Sequence, residues 1–106
     1  MVTFAFVEKG EFLGTRQLGA IVRDELVSLL NSTSEKIQLD FSGVEVVSNS
    51  FADECIAKLL LTMTLEELKK RTTFVGLNAF AKKNIAVALS RRYHATAMLS
   101  EWIRSN

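Results

Sequence analysis

The fold is decided by residues 37–54, which read IQLDFSGVEVVSNSFADE. Apolar and polar residues alternate over residues 37–41, and this period is typical of a strand with two unlike faces. A connection that carries valines of its own follows over residues 42–49. Ser50, with Asp53 three residues later, matches a capping box in which Asp replaces the usual Glu. The stretch therefore predicts a strand, a connection and then a helix that Ser50 caps.

Outward from this stretch, strands alternate with helices. An alternation of this kind favours a largely parallel sheet with helices packed on it. Phe12 and Leu13 are expected to pair back on the first strand, and the first helix is expected to fade at residues 31–34. The remaining predicted elements are strands over residues 2–7 and 72–77, a helix capped by Thr15, helices over 51–71 and 79–92 (the latter capped by Asn78), and a last amphipathic turn or two over 95–103.

The helix predicted over residues 51–71 is apolar nearly all round. Leu61 and Leu65 fall on the same side as Glu54 and Lys58, which is the side that would otherwise face solvent. A helix without a polar face is covered by something other than its own sheet. We expect that cover to be neighbouring helices, the C-terminal segment with Met98, Leu99 and Trp102, or a partner that includes a second copy of the chain.

Composition places the chain among single globular domains, which we assign to residues 1–106. Apolar residues make up 48% and charged residues 24%, and the formal net charge is +1. A balance so close to neutral gives no reason to expect nucleic acid or an anionic membrane. The N-terminus lacks a secretion signal, and the longest apolar stretch, residues 55–63, is too short to cross a bilayer. We therefore expect a cytoplasmic protein.

Residues with catalytic or metal-binding chemistry are few. The chain has one cysteine and one histidine, so it has no internal disulfide and no Cys/His zinc set. Cys55 lies on an apolar stripe, where a thiol behaves as a small buried hydrophobe. Asp40, Asp53 and Glu54 would have to converge to bind Mg²⁺, and acids in a first helical turn also suit the helix dipole without any ligand. We expect no metal, no cofactor and no catalytic residue.

Two alternatives stay open at this point. One is a small nucleotide- or metal-binding enzyme that uses Asp40, Asp53 and Glu54. The other is a nucleic-acid-binding domain that uses basic helix ends, although no aromatic residues are interleaved with them as stacking platforms would require. Those basic runs are Lys69-Lys70-Arg71, Lys82-Lys83 and Arg91-Arg92.

Residues 39–54 resemble the central segment of STAS domains, the fold of bacterial anti-sigma factor antagonists. The resemblance is closer to an uncharacterised STAS-like family, in which a stretch like Phe51-Ala52-Asp53-Glu54 follows the strand. Gly14-Thr15-Arg16, before the first helix, also fits that family. The similarity extends over about residues 10–92. It implies an α/β fold of STAS-like type, with a small mixed, mostly parallel sheet of about four strands and helices packed on it.

In the antagonists, a serine in an Asp-Ser-Ser-Gly motif at this helix start is phosphorylated by a partner kinase of the histidine-kinase ATPase fold. Only the unphosphorylated form binds that kinase. By position, Asn49 stands for the phosphorylated serine, Ser48 for the Asp and Ser50 for the second Ser. Phe51 stands where the motif has Gly. Asn49 cannot accept a phosphate, so Ser48 or Ser50 would have to replace it, and Ser48 is expected to be the more accessible.

We therefore predict a non-enzymatic regulatory module of bacterial signalling that docks a partner ATPase or kinase constitutively. A phosphate on a nearby serine would add about −2 charge next to Asp53 and Glu54 and repel a matching surface. Homodimerisation stays open. The predicted partner-binding residues are Ser48, Asn49, Ser50, Phe51, Asp53, Glu54, Lys58 and Leu61.

Overall fold

A computed structural model describes residues 1–92 together with Trp102 and Ile103. Over this part of the chain the α/β class is confirmed, although a short strand at Val46–Val47 lies within the stretch predicted as a connection. The strands are β1 (Val2–Ala5), β2 (Phe12–Leu13), β3 (Ile37–Asp40), β4 (Val46–Val47) and β5 (Thr72–Val75). The α-helices are α1 (Arg16–Ser32), α2 (Asn49–Cys55), α3 (Leu65–Arg71) and α4 (Ala79–Arg92), with 3-10 helices at Phe6–Lys9 and Ala57–Leu61.

The described strands form two small parallel sheets. One sheet has the order β1-β3-β5, and the other pairs β2 with β4. The expected return of Phe12 and Leu13 onto the first strand is therefore wrong, because both pair with β4 instead. The cause is local: the chain leaves β1 through a 3-10 helix and then turns at Gly10, whose φ of 132° favours glycine.

Helix α1 begins and ends where the sequence predicts. The hydroxyl of Thr15 accepts a hydrogen bond from the Leu18 amide at 3.1 Å, which satisfies one of the free amides of the first turn. The buried positions are Gly19, Val22, Leu26 and Leu30. Ile21 is apolar but 59% exposed, since it lies about 100° around the helix from its buried neighbour Val22.

The single helix predicted over residues 51–71 is wrong. Helix α2 ends at Cys55, a 3-10 helix occupies Ala57–Leu61, and α3 starts after Thr64. The Thr64 hydroxyl accepts from the Glu67 amide and donates to the Glu67 carboxylate, both at 3.1 Å. This N-cap begins a new helix and redirects the chain, so that Leu65 is buried while Leu61 is 68% exposed.

The core lies between the β1-β3-β5 sheet and the helices. Phe6 stacks on Phe41 with ring centroids 4.0 Å apart, and the Trp102 indole packs 4.7 Å from Phe74 and donates to the Thr72 hydroxyl. Trp102 and Ile103 are buried and helical, whereas Met98, Leu99 and the rest of the predicted last turns lie outside the described residues. None of the described helices is both long and apolar enough to span a membrane.

Helices α1 and α2 approach each other at Gly19. A Cβ at this position would lie 2.9 Å from the Cβ of Glu54 and 3.3 Å from the carbonyl oxygen of Phe51. Neither atom is the end of a flexible side chain, so neither moves without shifting α2. Gly19 therefore sets the distance between the two helices.

We predict that Gly19→Ala lowers the free energy of unfolding by about 1 kcal/mol. Overpacking costs about 1–3 kcal/mol and exceeds the gain in helix propensity of up to about 1 kcal/mol. Urea denaturation measures the change. Gly14→Ala is the control, since a Cβ there meets nothing within 4 Å, and equal stability of the two variants would contradict the proposed close contact.

Candidate functional site

The start of α2 is fixed by Ser48, not by the predicted Ser50. The Ser48 hydroxyl accepts from the Phe51 amide and donates to the Gly14 carbonyl, both at 3.0 Å. Its own amide donates to the Leu13 carbonyl at 2.9 Å. The pairing of β4 with β2 brings Ser48 beside this segment, so the helix starts two residues earlier than the local pattern indicates.

The predicted partner-binding residues divide into buried and accessible ones. Phe51 is fully buried, so its side chain cannot contact a partner in this conformation, and its inclusion in the docking surface is wrong. It faces inward because α2 packs its Phe51, Ala52 and Cys55 into the core. Asn49 is exposed and Ser50 is half-buried.

Asp53 joins three helices. One of its carboxylate oxygens accepts from Arg16 of α1 at 2.8 Å, and Arg92 of α4 donates through Nε at 2.8 Å and Nη2 at 3.1 Å. The hydrogen bonds from Arg92, followed by those from Arg16, lower the pKa of Asp53 from its ordinary 3.8 to about 2. Asp53 therefore links α2 to α1 and to α4 through ion pairs.

Glu54 is the more deeply placed of the two acids, with 7% of the residue exposed. Its carboxylate lies 2.7 Å from Nη1 of Arg23, 2.9 Å from Nζ of Lys58 and 3.2 Å from Nη1 of Arg16. Hydrogen bonds from Arg23, and then from Lys58, lower the pKa of Glu54 from its ordinary 4.5 to about 2. The predicted pairing of Glu54 with Lys58, four residues apart, is present.

The charge at the start of α2 is thus the reverse of what the sequence suggested. Two carboxylates, Asp53 and Glu54, meet four cationic side chains from Arg16, Arg23, Lys58 and Arg92. The side chain of Arg16 is 52% exposed, so part of the excess positive charge faces solvent. A phosphate near this point would also meet these cations. The predicted repulsion between such a phosphate and a partner's matching surface stays a prediction.

The three acids of the enzyme alternative are bound to other groups of the protein. Asp40 accepts from the Ser42 amide at 2.9 Å, while Asp53 and Glu54 face guanidinium groups. Across residues 1–92 and 102–103, no three His, Cys, Asp or Glu side chains come together as a metal site would require. Cys55 is buried, and desolvation raises the pKa of its thiol to about 12. His94, the one histidine that could pair with this thiol, lies outside the described residues.

Two of the basic runs contain an arginine whose side chain is bound within the fold. Arg71 donates through Nη2 to the carbonyls of Leu30 at 3.1 Å and Thr33 at 2.6 Å, where it satisfies acceptors at the end of α1. Arg92 binds Asp53, as described above. Both arginines have structural roles that the nucleic-acid alternative did not foresee.

The predicted surface also divides into two ends. Asn49 is the first residue of α2, and Leu61, twelve positions later, is the last residue of the following 3-10 helix. At 1.5 and 2.0 Å per residue this path is about 20 Å long. The acidic pair lies between the two ends beneath its cations, so Asn49 and Leu61 belong to different surface regions.

Sequence reasoning missed the arginines that complete the cluster. Arg16 and Arg23 are seven residues apart, which places both on one face of a helix. An adjacent pair of acids, Asp53-Glu54, occurs on the other helix. These two local patterns were visible, but nothing local indicated that α1 and α2 would pack against each other.

Comparison with known proteins gives one finding. Residues 19–79 match the profile of a family described as a STAS-like domain of unknown function (DUF4325). This match extends from α1 through the first residue of α4 and includes the start of α2 with its acidic pair. A search of curated proteins found no match. A search of solved structures also found none.

We predict that Ser48→Ala lowers the free energy of unfolding by about 1–2 kcal/mol, because the variant loses the cap of α2 and the bond to Gly14. Ser50→Ala is the matched control and changes stability by less than about 0.5 kcal/mol. Chemical denaturation of both variants measures the difference. A larger loss of stability for Ser50→Ala than for Ser48→Ala would show that Ser50, and not Ser48, caps α2.

Stability is expected to fall by about 2–4 kcal/mol between about pH 5 and pH 2, because each of the two carboxyls contributes about 2 kcal/mol and screening by solvent reduces the sum. Carboxyls whose pKa is lowered by folding stabilise the protein fully above the unfolded pKa, and this contribution is lost as the pH falls through the folded pKa of about 2. Glu54→Gln reduces this slope and lowers stability at pH 7 by about 2 kcal/mol, since Arg23 and Lys58 lose their counter-charge. Urea denaturation at several pH values measures both effects.

The exposed Glu66→Gln variant is the control for this experiment. It should keep both the stability and the slope of the unaltered chain. A Glu54→Gln variant with the full acid dependence would show that Glu54 is not the carboxylate that the surrounding cations stabilise.

Proposed function

Because the chain belongs to the family of STAS-like domains of unknown function, we propose that it is a non-enzymatic regulatory module that binds a protein partner. The chemistry of the α2 start supports this proposal. Its two carboxylates have pKa values of about 2 and are held by cations, so they are poor general bases near pH 7. The Cys55 thiol, with a pKa of about 12, is a poor nucleophile.

The observation that carries the proposal is the exposure of Asn49 on a fixed platform. Asn49 is the first residue of α2, and the residues around it are tied to β2 through Ser48 and to α1 and α4 through Asp53. A rigid surface needs little ordering when a partner binds, which favours affinity. We call the accessible part of this region, Asn49, Ser50 and Arg16, the junction surface.

The proposed partner is an ATPase or kinase of the histidine-kinase type, as for the anti-sigma factor antagonists that the chain resembles. The excess of cations around Asp53 and Glu54 fits an acidic patch on that partner. Asn49 is neutral and cannot be phosphorylated, so docking is constitutive unless a neighbouring hydroxyl is modified. The proposed setting is bacterial signalling in the cytoplasm.

Ser50 replaces Ser48 as the hydroxyl through which docking would be modulated. The Ser48 hydroxyl already makes two hydrogen bonds within the fold, so its modification would break the cap of α2. Ser50 does not cap the helix and is partly accessible. Its modification would alter the charge of the junction surface and leave the helix start in place.

We predict that Asn49→Asp weakens binding to the partner at least about tenfold, because like charges across an interface oppose association by several kcal/mol. The measurement is calorimetric titration with each purified histidine-kinase-type ATPase encoded in the same genome. Asn31→Asp, the same change at the exposed far end of α1, is the control and should bind normally.

Two outcomes would contradict the proposal. One is the absence of binding to every such ATPase, which would remove the partner class. The other is equal affinity of Asn49→Asp and the unaltered chain, which would move the contact away from the junction surface. Salt should weaken a genuine complex, since the proposed attraction is between opposite charges.

A further inference from the structure

The second end of the α2 segment forms a surface around Leu61 that the proposed docking at Asn49 does not use. Leu61 is 68% exposed at the end of the 3-10 helix. It lines two open depressions of about 580 and 310 Å³, and a third of about 440 Å³ adjoins them at their shared lining residue Thr62. We call this region the Leu61 surface, and the residues that matter to it are Arg23, Lys58, Leu61, Met63, Glu66 and Glu67.

Opposite charges flank Leu61. On one side Arg23 and Lys58 share the single carboxylate of Glu54, so this side has an excess of positive charge. On the other side Glu66 and Glu67 are exposed acids in the first turn of α3. The apolar centre therefore lies between a cationic side and an acidic side.

A surface with this arrangement complements itself. In a two-fold contact, each residue of one copy meets a different residue of the other, and the reverse contact occurs by symmetry. Rotation of a second copy about a two-fold axis that passes beside Leu61, within the contact, brings its acidic side against the cationic side of the first. A heterologous partner would have to supply this pattern independently, whereas a second copy has it already.

From this self-complementarity we propose that the Leu61 surface binds a second copy of the chain in a symmetric dimer. Leu61 of each protomer packs into the depression lined by Leu60, Met63 and Leu65 of the other. Glu66 of each protomer faces Lys58 of the other. The dimer is weak and reversible, because one protruding leucine and one charge pair per side form a small interface.

The dimer has a consequence for the junction surface. Asn49 and Leu61 lie at opposite ends of the α2 segment, about 20 Å apart along the chain path, and the proposed two-fold contact uses neither Asn49 nor Ser50. A dimer therefore presents two docking sites. This bivalence raises the apparent affinity for a partner that is itself dimeric.

The test is sedimentation velocity of the full chain over a range of concentrations up to about 1 mM, which covers weak dimers. Leu61→Glu and Glu66→Lys should each raise the dimer dissociation constant at least about tenfold. Phe80→Glu is the matched control, since Phe80 is a comparably exposed apolar residue, 56% exposed, in the first turn of α4. This variant should dimerise normally, and far-ultraviolet circular dichroism should show that all variants are folded.

Two results would overturn the proposal. One is an unaltered chain that stays monomeric over the whole concentration range, even if another protein binds the Leu61 surface. The other is a dimer that persists in both Leu61→Glu and Glu66→Lys, which would place the interface elsewhere. Since the Asn49→Asp titration measures a different surface, failure of either proposal leaves the other distinguishable.

Discussion

The contact between α1 and α2 depends on a carboxylate held where water barely reaches it. An ion buried without partners costs several kcal/mol, and only close opposite charges offset that cost. Glu54 has three such partners, from Arg16 and Arg23 of α1 and from Lys58 just beyond α2. Gly19 permits the approach, because it has no Cβ to separate the backbones. The position of α2 is therefore set by charge as well as by apolar packing.

The same logic explains which polar residues remain for function. Ser48 is occupied with the cap and with Gly14, and Asp53 is occupied with Arg16 and Arg92. These groups give the start of α2 its rigidity, so they are not available for binding. The accessible residues of the α2 segment are those that the fold does not need, above all Asn49 and Leu61. In this domain, function is proposed for residues beside the polar network, above all Asn49 and Leu61, and for the exposed parts of its cations Arg16 and Lys58.

How far the sequence predicts the structure depends on the range of the interaction concerned. The caps at Thr15 and Asn78 act within a few residues, and both are confirmed. The start of α2 depends on the pairing of β4 with β2, about 35 residues away, so the local Ser50 pattern was misleading. Thr64, with Glu67 three residues later, is a local sign that a new helix begins. The continuous apolar pattern of residues 51–71 led to the prediction of one long helix instead.

Every strand pairing in the described chain is parallel and joins residues about 35 positions apart. No hairpin among these strands supplies an early, local pair. Loop closure must therefore precede each ladder, and such long-range topology slows folding. During synthesis, β3 can pair with β1 as soon as residue 40 has left the ribosome. The three-stranded sheet has to wait until β5 follows, so a nascent chain that carries α2 still exposes one edge of β3.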